Sequence, residues 1–130
     1  MAQLRHEPGP HQHSVLITAE GDLDIRTSRE FDEYLTAAGA DHRYLIIDLS
    51  AVTFLDSSAL AVIVHQWKKL SAADGSLALV RARKQTSRVF WISGMAARLA
   101  LYDTVAEAAT ALAARPQRGT TVPSATVRPE

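Results

Sequence analysis

Residues 44–70 read YLIIDLSAVTFLDSSALAVIVHQWKKL, and this stretch decides the fold. Its opening run, Tyr44-Leu45-Ile46-Ile47, closes on Asp48-Leu49-Ser50 and predicts a buried strand over Tyr44 to Leu49. Ala51-Val52-Thr53-Phe54-Leu55 reads as a connecting loop. Beyond Asp56-Ser57-Ser58, the residues Leu60, Ile63, Val64, Trp67 and Leu70 recur at i, i+3, i+4, i+7 and i+10. That spacing is one face of a helix, with Val62, Gln66 and Lys69 elsewhere on it. Asp and Ser are N-cap types, because their side-chain oxygens accept from the free N–H groups of a first turn. Lys68 and Lys69 fall in the last turns, where positive charge suits the helix dipole.

Working outward, Ala2 to His6 predicts a short edge strand and Glu7-Pro8-Gly9-Pro10 a turn. Gln12 to Ala19 predicts a second strand, ended by Glu20-Gly21-Asp22-Leu23-Asp24. Thr27 or Ser28 caps a helix carrying Phe31, Tyr34, Leu35 and Ala38, with Gly39 as its stop. On the other side, Ala73-Asp74-Gly75 turns the chain into a strand over Ser76 to Ala82. Thr86 or Ser87 starts a helix with Val89, Phe90, Trp91 and Ile92 turned inward, ended by Gly94. Leu99 to Tyr102 predicts the last strand, and Asp103 or Thr104 caps a helix from Val105 to about Arg115. Residues 115–130 hold three prolines and almost no large apolar side chain, the composition of a disordered tail.

The order is β-β-α-β-α-β-α-β-α, an α/β fold. We expect one domain over residues 1–114, with a mixed sheet of four to five strands and about four helices. Fourteen cations balance fourteen acids, so nucleic acid is not the expected partner. Arg81, Arg83, Lys84 and Arg88 form a local basic group that reads as a solvated helix start. The absence of cysteine excludes disulfides, thiolate catalysis and Cys-based metal sites. No secretory leader is expected from the first residues, no apolar run reaches the roughly 20 residues that span a bilayer, and the cytoplasm is the expected location.

Asp56-Ser57-Ser58 is the candidate site. A helix start favours an anion, so a serine there can carry a phosphate without unfolding the helix. A nucleophilic Ser58 is not supported. His65 is seven residues on, about 10 Å along a helix axis at 1.5 Å per residue, beyond the reach of a Ser–His hydrogen bond. No G-x-S-x-G elbow, Walker A or G-x-G-x-x-G motif is present. His6, His11 and His13 straddle a Pro-Gly turn and read as solvated terminal residues rather than metal ligands. No metal or cofactor is expected.

Taken together, these residues resemble a known family. Glu20-Gly21-Asp22-Leu23-Asp24, Leu45-Ile46-Ile47-Asp48-Leu49-Ser50, and Val52, Phe54, Leu55 with Asp56-Ser57-Ser58-Ala59-Leu60 are similar to the STAS domain. Within it they resemble the bacterial anti-sigma factor antagonists. Ile92-Ser93-Gly94-Met95, Leu101-Tyr102-Asp103 and Glu107-Ala108 extend the resemblance, which covers about residues 2–114.

The resemblance implies a regulatory protein without catalytic activity. Its unphosphorylated form would bind an anti-sigma factor that is also a serine kinase, and so free a sigma factor. Phosphorylation of Ser58, with Ser57 as the fallback, would end binding, and a phosphatase would restore it. Asp22, Asp24, Asp56, Ser57, Ser58 and Leu60 would form the docking surface of a monomer or dimer. The family commonly has glycine after the phosphorylated serine and again two residues on, where this chain has Ala59 and Ala61. The alternative within the family is an unphosphorylated scaffold or sensor subunit of a signalling assembly. Nucleotide binding by the domain itself lacks a phosphate-cradling loop.

Overall fold

The computed structural model describes residues 2–10 and 12–113. The expected tail over 115–130 and His11 lie outside them. Five strands and four α-helices follow in the order β1 (Gln3–Pro8), β2 (Ser14–Leu23), α1 (Ser28–Asp41), β3 (Tyr44–Leu55), α2 (Ser57–Ala72), β4 (Ser76–Val80), α3 (Val89–Ile92), β5 (Ala100–Tyr102) and α4 (Val105–Ala113). A single 3-10 turn, Met95–Ala97, precedes β5. The expected order and the mixed sheet are both present.

The sheet runs β1-β2-β3-β4-β5, each strand beside its predecessor in sequence. β1 is antiparallel to β2, and every later pairing is parallel. Helices cover both faces, which is why β3 and β4 are apolar runs rather than alternating strands. On one face Val15, Ile17, Leu45, Ile47 and Leu79 pack with Phe31 and Leu35 of α1, Ile63 of α2 and Phe90 of α3. On the other, Ile46, Ala78 and Val80 pack under Ala108 and Leu112 of α4. Thr104 and Glu107 cap α4 reciprocally. The Glu107 N–H donates to the Thr104 hydroxyl, and the Asp103 N–H to the Glu107 carboxylate, both at 3.0 Å.

Five local expectations are corrected. β3 runs on through the predicted loop to Leu55, because Ala51, Val52, Phe54 and Leu55 pair with Glu20 to Leu23 of an equally extended β2. Two register shifts absorb the mismatch, and Gly21 sits beside one of them at φ 87°. α1 continues past Gly39 to Asp41. Thr27 precedes α1 but does not cap it: its hydroxyl donates to the Asp22 carbonyl and accepts from the Asp24 N–H.

α3 is only one turn long, and of its four residues Phe90 alone is buried; Ile92 is 76% exposed. Gln66, expected off the packed face of α2, is 1% exposed. Its amide donates to the Asp32 carboxylate and the Thr36 hydroxyl, both at 2.9 Å, and so pins α2 to α1. A buried amide is tolerated because those partners satisfy it.

Candidate functional site

The site forms where the parallel strands end. Asp22 and Leu23 of β2 lie opposite Phe54 and Leu55 of β3. The Asp56 N–H donates to the Leu23 carbonyl at 3.1 Å, and the Leu55 N–H donates to the Thr86 carbonyl at 2.8 Å. Backbone bonds thus bring the end of β2, the β3–α2 junction and the β4–α3 loop to one edge.

Asp56 is extended, at φ −106° and ψ −174°, and caps α2. One of its carboxylate oxygens accepts from the Ser58 N–H at 2.9 Å and the Ala59 N–H at 3.2 Å. Ser57 is exposed and Ser58 half-buried. Among the described residues neither serine hydroxyl is engaged in a hydrogen bond. The two alanines at the family's glycine positions go different ways: the Ala59 methyl is fully buried in the core, whereas Ala61 is exposed. Leu60 is 7% exposed and packs inward more than outward.

Removing the cap measures how far this junction depends on one carboxylate. Asp56→Ala is expected to cost about 1 kcal/mol in chemical denaturation, the usual value of an N-cap. A change below about 0.3 kcal/mol, under the usual range for such a cap, would show that the first turn is held by packing instead.

The acids at the end of β2 and just beyond it have different surroundings. Asp22 accepts from the Thr53 hydroxyl at 2.6 Å and stays at the surface. Asp24 is 8% exposed and folded into its own turn. It accepts from the Arg26 N–H at 2.9 Å and from its guanidinium at 3.0 Å. The guanidinium hydrogen bond, against opposing burial, holds the Asp24 carboxyl below the ordinary carboxylate range. The same contact raises Arg26.

Two residues that the sequence reading did not place in the docking surface sit at the same edge. Ile25 is 73% exposed and Phe54 51%. Their signal was present: an isoleucine inside the polar run Asp24 to Thr27, and a phenylalanine between buried Val52 and Leu55. Exposed large apolar side chains at the edge that carries the start of α2 are what a docking partner would cover.

Of the amino-terminal histidines, His6 and His13 lie among the described residues. His6 shares a 2.6 Å hydrogen bond with the Tyr34 hydroxyl, and its ring meets the Tyr34 ring edge-on. His13 lies in the turn before β2, its carbonyl accepting from the Arg43 and Tyr44 N–H groups. Among the described residues no three of His, Cys, Asp or Glu gather closely enough to hold a metal ion. No helix among them is long and apolar enough to cross a membrane.

A family model described as the STAS domain matches residues 2–108. The chain is 26% identical to the anti-sigma F factor antagonist of Paenibacillus polymyxa, over 84% of this chain and 95% of that protein. It is 32% identical to the anti-sigma-B factor antagonist of Staphylococcus aureus, over 58% of this chain and 70% of that one. The crystal structure of an anti-sigma factor antagonist from Mycobacterium paratuberculosis superposes with a TM-score of 0.77 at 27% identity. It covers 87% of this chain and 95% of its own.

Proposed function

Because the chain belongs to the STAS domain family, we propose that it acts as an anti-sigma factor antagonist switched by phosphorylation of Ser58. In this reading the unphosphorylated chain docks on an anti-sigma factor that is also a serine kinase, and so releases a sigma factor. The kinase passes the γ-phosphoryl group of ATP to the Ser58 oxygen, the bond to the β-phosphate breaks to release ADP, and the hydroxyl proton passes to a base of the kinase. A phosphatase then hydrolyses the phosphoserine and resets the cycle. The chain is a binding protein here and performs no chemistry of its own.

One observation carries the reading. The start of α2, with Ser57 exposed and Asp56 and Ser58 half-buried, stands at the strand ends that also carry the exposed apolar Ile25 and Phe54. A phosphate at Ser58 adds about −1.5 to −2 charges beside the Asp56 carboxylate. The positive end of the α2 dipole makes that anion tolerable to the helix. The same charge makes an apolar docking rim repulsive to a partner that had buried it. Asp22, Asp56, Ser57, Ser58 and Leu60 line this surface in the proposal. Asp24 contributes by shaping the turn that presents Ile25.

The test uses the anti-sigma factor kinase that co-purifies with the native chain. Ser58→Asp is expected to keep the wild-type circular dichroism spectrum and weaken binding about 100-fold or more, a loss of about 2.7 kcal/mol. Transfer of radiolabel from ATP should persist in Ser57→Ala and vanish in Ser58→Ala. Equal binding by wild type and Ser58→Asp would refute the switch. Label lost in Ser57→Ala instead would move it to Ser57. Failure of any kinase to co-purify, with a large native assembly, would favour the scaffold reading.

A further inference from the structure

The formal net charge is zero, yet the two signs are segregated about the start of α2. On the β2–α1 flank, residues 22–33 carry Asp22, Asp24, Glu30, Asp32 and Glu33 against Arg26 and Arg29. Arg26 is committed to Asp24 at 3.0 Å, while Glu30 and Glu33 are exposed. On the β4–α3 flank, residues 81–98 carry Arg81, Arg83, Lys84, Arg88 and Arg98 and no acid. Arg81 is committed to Asp48 at 3.0 Å, while Arg83, Lys84 and Arg88 are exposed. The Lys84 ammonium lies 5.6 Å from the centre of the Trp91 ring.

α1 and α3 contact α2 on one face of the sheet, and the junction before α2 is bonded to Leu23 on one side and to Thr86 on the other, so the start of α2 lies between the flanks. Exposed apolar side chains accompany both signs: Ile25 on the acidic flank, Phe54 at the junction, and Trp91 and Ile92 on the basic flank.

We infer that this edge is self-complementary and pairs two copies of the chain, the acidic flank of each against the basic flank of the other. A two-fold axis lying in the interface, perpendicular to the line joining the flanks, brings acid onto base at both ends. It also brings Phe54 near Phe54 across the axis. The same dipolar layout disfavours other occupants. An anionic bilayer or a nucleic acid laid on this edge meets Glu30 and Glu33 as well as Lys84 and Arg88. A chain without net charge also lacks the general repulsion that keeps like molecules apart.

The pairing needs no phosphate and stands apart from the proposed switch, although both use one edge. It covers Ser57 and Ser58, so paired copies are closed to a kinase.

Sedimentation equilibrium of the full chain, to about 1 mM, the range of weak association, tests the pairing. A monomer–dimer equilibrium is expected at low salt. Its affinity should fall at least about tenfold near 1 M salt, where the Debye length shrinks to about 3 Å. The double reversals Lys84→Glu/Arg88→Glu and Glu30→Lys/Glu33→Lys should each be monomeric. Their equimolar mixture should recover the dimer, which only acid-to-base pairing predicts. A wild type monomeric throughout would overturn the inference and leave the edge to a foreign protein. So would a dimer indifferent to salt and to the reversals, or a mixture that stays monomeric. Co-sedimentation of monomer with phosphatidylglycerol vesicles, lost in Lys84→Glu/Arg88→Glu, would give the basic flank to a membrane and equally overturn it. None of these readings depends on Ser58, so failure here leaves the kinase test intact.

Discussion

Phe90→Ala is expected to destabilise the chain by about 3–5 kcal/mol in chemical denaturation, the range for removing a buried phenylalanine. Phe90 is fully buried and is the one residue that α3 contributes to the core. A helix of a single turn has almost no stability of its own, so its place depends on that ring. The effect should also be local. The loop that leads into α3 supplies the Thr86 carbonyl that accepts from the Leu55 N–H. Loosening α3 should therefore expose the Leu55 amide to hydrogen exchange before the amides of Leu45 and Ile47 in the same strand. Stability within about 1 kcal/mol of wild type, well short of the expected cavity cost, would refute the anchoring. So would a Leu55 amide as protected as before.

The second large effect is at Gly75. A Cβ there would overlap the Arg43 carbonyl oxygen, a backbone atom that cannot rotate away, and would stand 3.2 Å from the Leu70 carbonyl oxygen. The Arg43 oxygen also accepts from the Ser76 N–H at 3.1 Å, at the point where β4 begins beside β3. Gly75→Ala must push these apart and should cost about 3 kcal/mol, at the high end for overpacking. Gly39→Ala supplies the opposite sign. Gly39 lies inside α1, and a Cβ there meets only a Leu70 methyl at an ordinary 3.6 Å. Alanine should stabilise that helix by about 0.5–1 kcal/mol. Thermal or urea unfolding of both variants checks the pair. A neutral Gly75→Ala would mean that the turn yields freely.

Element type was legible in the sequence because the chain states it strongly. The apolar run at Tyr44 to Ile47 and the helical spacing from Leu60 to Leu70 gave β3 and α2, and Asp56 reads correctly as the cap. The site was legible in part for the same reason, since a cap has a local signature.

What escaped depends on partners distant in sequence. β3 continues through Ser50 to Leu55 because an equally long β2 lies alongside, and the β-forming Val52, Thr53 and Phe54 were a signal that the loop reading passed over. Gln66 looks like a surface residue until Asp32 and Thr36 are placed opposite. Gly39 looks like a stop until α1 is packed against Leu70. Ile92 looks like a core residue, but a one-turn helix buries only one side chain. Periodicity reports which residues share a face; it does not report how much of that face a neighbour covers.

Sheet order equals sequence order in this chain. A polypeptide leaving the ribosome amino terminus first therefore never has to hold a gap open for a strand still to be made. β1 and β2 form a hairpin, and each later strand docks on an edge already present, with one helix laid down per addition. Such stepwise growth keeps the loops to be closed short, which favours fast folding. The exposed hazard comes last. Until α4 is synthesised, Ile46, Ala78 and Val80 lack the cover of Ala108 and Leu112. A chain cut between Tyr102 and Val105 would carry all five strands with one apolar side of the sheet open.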